Sequence, residues 1–362
     1  MSVFYHFQKL NHELIYMQKG SKRRFIALIP IQLHMTVMYE EIREEPEAIR
    51  KTINENADRI DSIIDQIRKS SFVFVTGSGT SYNAALMLNY TLLENGIRSM
   101  AITSSEYSEN LIKNLHGDIT NIIFSQSGES TDAISNQKLS KKYGFTVIGI
   151  TNERESQLFR ESDNSILTHA GKEKSIAATK SHAVQVAVSM LIDYRLRNDK
   201  NISEEVDDIY NGIAKIVSAI DEVGSVSTKI RNKVVFLGSE KCYPVALEGG
   251  LKFKETSGVV TESYPTREYF HGPVHRLDAD TTVIWLTEGS FPNRKIMEKL
   301  KALSGEVITI GNGDAVLKIN ETNQFQKVFN SLVYIQLLAN FKAVNMGMDP
   351  DHPSNLSKVV RW

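Results

Sequence analysis

Apolar residues recur at helical spacing through Ile49, Ile53, Ala57, Ile60, Ile64 and Ile67, with charged residues on the other face and Pro46 near the start. The spacing predicts one long amphipathic helix from Glu47 into a first lobe. The period then changes. Short apolar runs at 71–76, 99–103, 120–124, 146–150 and 165–168 predict buried strands, and helical segments such as 81–94 and 131–142 separate most of them. Strands alternating with helices build parallel βαβ units in a doubly wound sheet. The second half repeats the pattern, with strands predicted at 233–237, 259–262, 281–287, 306–310 and 316–319. Residues 204–223 read as a helical connector. Residues 325–344 read as a long apolar helix, followed by a polar tail, 349–362, that contains Pro350 and Pro353.

The halves also share residues. Gly77-Ser78 aligns with Gly238-Ser239 at an offset of 161, and Tyr82, Ala85 and Leu86 then match Tyr243, Ala246 and Leu247. Five identities at one offset, each set following a predicted strand, indicate a duplicated lobe. The expected class is α/β: two tandem flavodoxin-like lobes, each a doubly wound parallel five-stranded sheet flanked by helices. The organisation read from the chain is an extension of unassigned role (1–34), a first lobe (35–200), a connector with a second lobe (201–345) and a tail (346–362), with Met35 as an alternative start.

A length of 362 residues exceeds what one core usually supports, in keeping with two domains. The 42 basic and 43 acidic residues give a formal net charge of -1, which leaves no basic excess to follow a nucleic-acid backbone. Cys242 is the only cysteine, so neither an internal disulfide nor a cysteine-built zinc site can form. The apolar run Phe25 to Leu33 is too short to span a bilayer, and no small-residue cleavage site follows it. The expectation is a cytoplasmic chain with no membrane and no nucleic-acid partner.

Two loops carry the candidate chemistry. Gly77-Ser-Gly-Thr-Ser81 follows the first strand and Ser125-Gln-Ser-Gly-Glu-Ser130 follows the third, and both run into predicted helices. A helix start offers unpaired N–H groups and the positive dipole end, which suits a phosphate dianion, while Ser and Thr hydroxyls add donors. In strand order 2-1-3-4-5 the first and third strands are neighbours whose helices leave to opposite faces, and the crevice between their carboxyl ends is the usual ligand site. A single Ser-rich loop here would read as a simple cap. Two at the switch point favour binding. A dinucleotide site is set aside, because Tyr82 replaces the third glycine of G-x-G-x-x-G and Glu106 is a doubtful ribose ligand. The second lobe's counterpart loop, Thr287-Glu-Gly-Ser290, puts an acid where a phosphate would sit.

Six blocks in order across 35–362 resemble the sugar isomerase (SIS) family, in particular its glucosamine-6-phosphate synthase and archaeal glucosamine-6-phosphate deaminase branches. They are Gly79-Thr-Ser81, Ser125-Gln-Ser-Gly-Glu129, Ala177-Ala-Thr-Lys180, Ala246-Leu-Glu-Gly-Gly-Leu-Lys-Phe-Lys-Glu255, His271-Gly-Pro273 and Asn355-Leu-Ser-Lys358. The resemblance implies that Ser81, Ser125, Gln126, Ser127 and Ser130 hold a phosphate. Thr80 and the backbone near Ile176 would hold sugar hydroxyls. Lys358 would form a Schiff base with the ketose, Glu255 would move a proton between C1 and C2, and His271, reaching in from a partner subunit, would open the sugar ring. Lys252, one turn before Glu255, would orient it or the tail. The residue types suit these roles: His shuttles protons near neutral pH, a partly buried carboxylate serves two carbons, and a neutral lysine condenses with a carbonyl. Singly, Glu255 reads as a solvated helix residue, His271 as a turn cap and Lys358 as a chain-end lysine; their joint spacing carries the reading.

Two departures refine it. The synthase's glutaminase half, with its cysteine nucleophile, has no counterpart ahead of the first lobe in this sequence, and Ala178 stands where the synthase loop usually has serine. Tyr264-Pro-Thr266, Glu268 and the ending Lys358-Val-Val-Arg-Trp362 look like the deaminases. The expectation is a homodimer with composite sites acting on a phosphorylated amino sugar, with no cofactor and no metal. Deamination of glucosamine 6-phosphate is favoured over amination with external ammonia or a non-enzymatic sugar-phosphate sensor.

Overall fold

The structure, a computed structural model, describes residues 36–287, 293–319 and 323–358. The expected extension 1–34, the acid-bearing part of the loop after 287 and the last four residues lie outside the described residues.

The chain opens with three helices, α1 (Val37–Arg43), α2 (Glu45–Asn56) and α3 (Ile60–Lys69). The single helix expected from Glu47 is thus two, with Pro46 in the first turn of α2 as anticipated. The break has a local cause. Asn56 donates its side-chain amide to Thr52 O (2.8 Å) and Leu167 O (2.9 Å), and Asn54 and Asp58 flank it. Short polar side chains that bond the backbone compete with the helical ladder. The apolar stripe survives the break, because Ile60, Ile63, Ile64 and Ile67 are all buried.

The first lobe follows as β1 (Phe72–Gly77), α4 (Thr80–Glu94), β2 (Ser99–Thr103), α5 (Glu109–Ile112), β3 (Ile119–Phe124), α6 (Thr131–Lys142), β4 (Thr146–Thr151), α7 (Gln157–Glu161), β5 (Asn164–Leu167) and α8 (Lys180–Leu196). The connector is two helices, α9 (Ile202–Ser218) and α10 (Ile220–Ser227), rather than one. The bend at Ala219 brings Gly224 against α13 (Gln324–Asn345), where a Cβ would lie 2.9 Å from the Phe341 ring. The second lobe is β6 (Lys233–Gly238), α11 (Cys242–Ser257), β7 (Val260–Pro265), β8 (Thr281–Leu286), α12 (Arg294–Leu303), β9 (Glu306–Gly311) and the short β10 (Leu317–Lys318).

Both sheets are five-stranded and wholly parallel. Their orders, β2-β1-β3-β4-β5 and β7-β6-β8-β9-β10, are the same 2-1-3-4-5 winding, as the sequence predicted. The duplication has a steric signature. A Cβ on Gly77 would lie 2.4 Å from Ser81 O, and one on Gly238 would lie 2.3 Å from Cys242 O. In each lobe the first strand turns so tightly into its helix that no side chain fits. One core cluster runs through both lobes, and α8 and α13 are buried along nearly their whole length within it. The helices that follow the two first strands, α4 and α11, meet across the lobe boundary. That contact sets the crevice of the first lobe beside the helix bearing Glu255. Among the described residues no helix is long and apolar enough to cross a membrane.

Candidate active site

A cavity of about 280 Å³ opens at the carboxyl ends of β1 and β3. Its walls include Thr80, Ser81, Ser125, Gln126, Ser127, Ser130, Ile176, Glu255 and Lys358, nine of the eleven residues singled out from the sequence. Gly79, with φ +54, ends the first loop, and Ser130 is the N-cap of α6. Gly128, with φ +62, leaves no room for a Cβ, which would fall 2.2 Å from Ser156 Oγ. The second loop is braced from within: Ser125 Oγ accepts from Gly128 N–H (3.1 Å) and Ser127 Oγ from Glu129 N–H (3.2 Å). Two helix starts and a fringe of hydroxyls therefore converge on one space, an arrangement suited to a dianion.

The far wall is built by α11. Glu248, Lys252 and Glu255 lie four and three residues apart, so they share one helix face. Lys252 is fully buried and pairs with Glu248 at 3.3 Å and with Glu255 in a closer contact. Glu248, also fully buried, accepts from Thr80 Oγ1 (3.1 Å) and Asn83 Nδ2 (2.7 Å) at the start of α4. A continuous chain thus runs from the phosphate-type loop of one lobe through Glu248 and Lys252 to Glu255 of the other. Burial alone would push the Lys252 ammonium down, but Glu248 and Glu255 outweigh it and hold it above the ordinary lysine range. Burial would likewise raise the Glu248 carboxyl, yet Lys252 and the two lobe-one donors keep it below the ordinary value. Lys252 accordingly lies beneath the cavity, paired with both Glu248 and Glu255. The Thr80 hydroxyl expected to meet the sugar is instead donated to Glu248.

The third wall is the segment before α8 together with the C-terminal tail. Lys358 Nζ donates to Glu173 Oε2 (2.6 Å) and to Ser175 O (2.7 Å). Glu173 is buried and also accepts from Thr179 N–H (2.9 Å), Ser181 N–H (3.1 Å) and Ser181 Oγ (2.6 Å). Burial would raise its carboxyl, but Lys358 and these donors keep it below the ordinary value. Ile176 lines the cavity, yet its N–H is taken by Asp351 O at 3.0 Å, so this amide is not available to a sugar hydroxyl. Lys180, at the end of the matched Ala177–Lys180 segment, turns away to Glu44 at 2.5 Å.

His271 stands apart. It ends a single 3-10 turn, Glu268–His271, beyond β7, is exposed and does not line this cavity.

Four residues around the site were not anticipated. Glu248 had a readable signal, its position one turn before Lys252 on the same face. Gln185, on α8, lines the cavity and donates from Nε2 to Ser81 Oγ (3.1 Å), which leaves the serine's own O–H to point elsewhere. His182, on the preceding turn, is buried among Glu248, Lys252 and Glu173, and burial holds its imidazole below the ordinary histidine range. Glu173 had no sequence signal, because its partners are set by the fold of a loop.

The sequence matches the SIS domain family over residues 66–192 and 229–318. It is 32% identical to the glutamine–fructose-6-phosphate aminotransferase (isomerizing) of Sulfurisphaera tokodaii over 89% of this chain and 56% of that protein. Against the Escherichia coli protein of the same name it is 31% identical, over 89% of this chain and 58% of that one. The chain thus spans somewhat over half the length of the curated relatives it matches. Among solved structures, glucosamine-6-phosphate deaminase from Thermotoga maritima superposes with a TM-score of 0.75 at 26% identity, covering 90% of this chain and 100% of that one. The C-terminal domain of the Francisella tularensis aminotransferase gives 0.79 at 24% identity, over 88% of this chain and 98% of that one, a likeness of fold.

Proposed function

The chain belongs to the SIS domain family, and from that premise we propose that it interconverts a phosphorylated amino-aldose with a ketose phosphate, converting glucosamine 6-phosphate to fructose 6-phosphate and ammonia. One observation carries the reading: the Ser-rich double loop, Glu255 and Lys358, distant in sequence, line a single cavity. Ser81, Ser125, Gln126, Ser127 and Ser130 hold the phosphate. In the open-chain sugar Glu255 takes the proton from C2 and returns it to C1, so the aldehyde becomes a hydroxymethyl group and the amine at C2 an imine. Lys358, leaving its contact with Glu173, adds to C2 and displaces ammonia. Water then cleaves the lysine imine, and the ketose leaves with the amine restored. His271 opens the ring from a partner subunit, in keeping with its exposure outside its own chain's cavity. A protein that binds the sugar phosphate without turnover would be the sensor of the third reading.

The opposite direction draws support from the names of the curated relatives, which are aminotransferases at 30–33% identity. Ammonia release from glucosamine 6-phosphate, set beside glucosamine 6-phosphate formation from fructose 6-phosphate with ammonium or with glutamine, separates the two. Absence of turnover in every arm would remove the enzymatic reading. The composite site is tested by mixing inactive His271→Ala and Lys358→Ala chains. Random exchange should restore roughly a quarter of full activity, and no recovery despite demonstrated exchange would place His271 within its own chain's chemistry.

A further inference from the structure

We propose that Asp351 is a positioning residue, fastening the C-terminal tail at a fixed point beside the cavity so that Lys358 is delivered to it. The proposal rests on the reading above only in taking Lys358 as the group that reacts.

The tail leaves α13 through Gly347, whose φ of +71 turns the chain sharply. Asp349 then shapes the bend, accepting from Asp351 N–H (2.8 Å) and pairing with His352 (3.2 Å). Asp351 is buried, and its two carboxylate oxygens take the N–H groups of Val37 and Met38, both at 2.7 Å, at the start of α1. Its carbonyl accepts Ile176 N–H at 3.0 Å. Three remote segments therefore meet on one residue. The same first helix grips the loop from its other side, because Glu41 on α1 accepts from Lys174 N–H (2.5 Å) and Ser175 N–H (3.3 Å). That loop in turn supplies Glu173 and the Ser175 carbonyl to Lys358 Nζ. Helix α1, the loop and the tail form a closed triangle with Asp351 at one corner and Lys358 at another.

Geometry says what the corner does. Measured from the residue after α13, Met346, Lys358 hangs on 358 − 346 = 12 residues; measured from Asp351 it hangs on 358 − 351 = 7. At ~3.3–3.6 Å per residue the reach shrinks from about 40 Å to about 25 Å. Fixing the near end also fixes the direction from which the amine approaches, which weighs more in a reaction rate than reach alone. A carboxylate receiving two backbone N–H groups is a charge-assisted anchor, stronger than a neutral one. Had Asp351 only capped α1, its loss would lower stability and leave the turnover of folded protein unchanged.

The test uses the full chain carrying Asp351→Ala, with Asp351→Asn as a milder variant that keeps the shape and loses the charge. For folded Asp351→Ala we expect kcat to fall roughly 10–100-fold with KM changed by less than about threefold, since the phosphate loops are untouched. Asp351→Asn should fall between it and the parent. A second readout does not depend on the reaction. A lysine-specific endoprotease cutting after Lys358 releases Val-Val-Arg-Trp, and that cut should be at least about tenfold faster in the variants, because the side chain is no longer held on Glu173. Unchanged cleavage after Lys358 in folded variants overturns the proposal, whatever the sugar chemistry proves to be. If the parent turns over no amino-sugar phosphate while the cleavage rates still diverge, the functional reading fails and the anchoring role stands.

Discussion

The two lobes share one winding, and the loop after their first strands shows how they diverge. At an offset of 161, Gly79 of the first lobe corresponds to Glu240 of the second, and their φ values, +54 and +50, are nearly the same. The backbone bend was kept while its chemistry was replaced. In the first lobe glycine leaves the helix start open, and Thr80 and Ser81 face the cavity. In the second the bend carries an acidic side chain in a conformation L residues disfavour. The next residue, Lys241, turns inward, buried against Glu94 and Gln324. The helix start that faces the cavity in the first lobe is matched in the second by a buried, paired lysine. The second lobe gives its first helix, α11, as the wall that presents Glu255, with Lys252 and Glu248 tying that wall to the loop opposite.

On the proposed reading the first lobe binds and the second lobe with its tail reacts, and mutations should respect that division. The largest effect is expected on the side of the second lobe and its tail. Lys358→Arg keeps the charge but cannot form an imine, so kcat should fall by roughly three orders of magnitude, about 4 kcal/mol, while KM for the phosphate ester stays close to the parent's. Steady-state kinetics decide it, and substantial turnover would remove the imine. On the first-lobe side, Ser127→Ala with Ser130→Ala should weaken binding of fructose 6-phosphate by about 1–3 kcal/mol. Calorimetric titration reads that directly, and an unchanged affinity would place the phosphate elsewhere.

The seam between the lobes offers a smaller test. Glu45 is fully buried where α2 meets α13; burial holds its carboxyl well above the ordinary range, Glu173 and Glu248 add to that, and the Gln336 amide beside it pulls the other way. Because the folded protein keeps this proton to higher pH than the unfolded chain does, Glu45 lowers stability as pH rises above the ordinary carboxylate range. Glu45→Gln should remove that decline. The variant's Tm should exceed the parent's at pH 8, and the two should converge towards pH 4. Parallel curves would show that Glu45 is not held neutral. The smallest change is expected at the bend itself. Glu240→Gly relieves the positive φ at the expense of a more flexible unfolded chain, for a gain of up to about 1 kcal/mol in denaturant unfolding with activity unaltered. A clear loss of stability there would mean that the Glu240 side chain supports the fold.

Local periodicity made the ten strands, the serine loops and the duplicated Gly-Ser turn legible in the sequence, because each is written within a few consecutive residues. The spacing that joined residues 49 to 67 into one helix missed its break, since Asn56 completes its bonding with Leu167 O, more than a hundred residues away. The same limit governs the site. Loop residues such as Ser125 and Ser130 could be named from the chain, whereas Glu173, Glu248 and Asp351 are bonded to partners 165 to 314 positions distant. Sequence by itself determined which elements form and which of them can cradle an anion, for those properties depend on side-chain period and helix starts. Only tertiary structure decided which buried carboxylates face which cations and where the tail is fastened, because unlike-charge pairing and backbone capping are settled by packing between segments that carry no mark of each other.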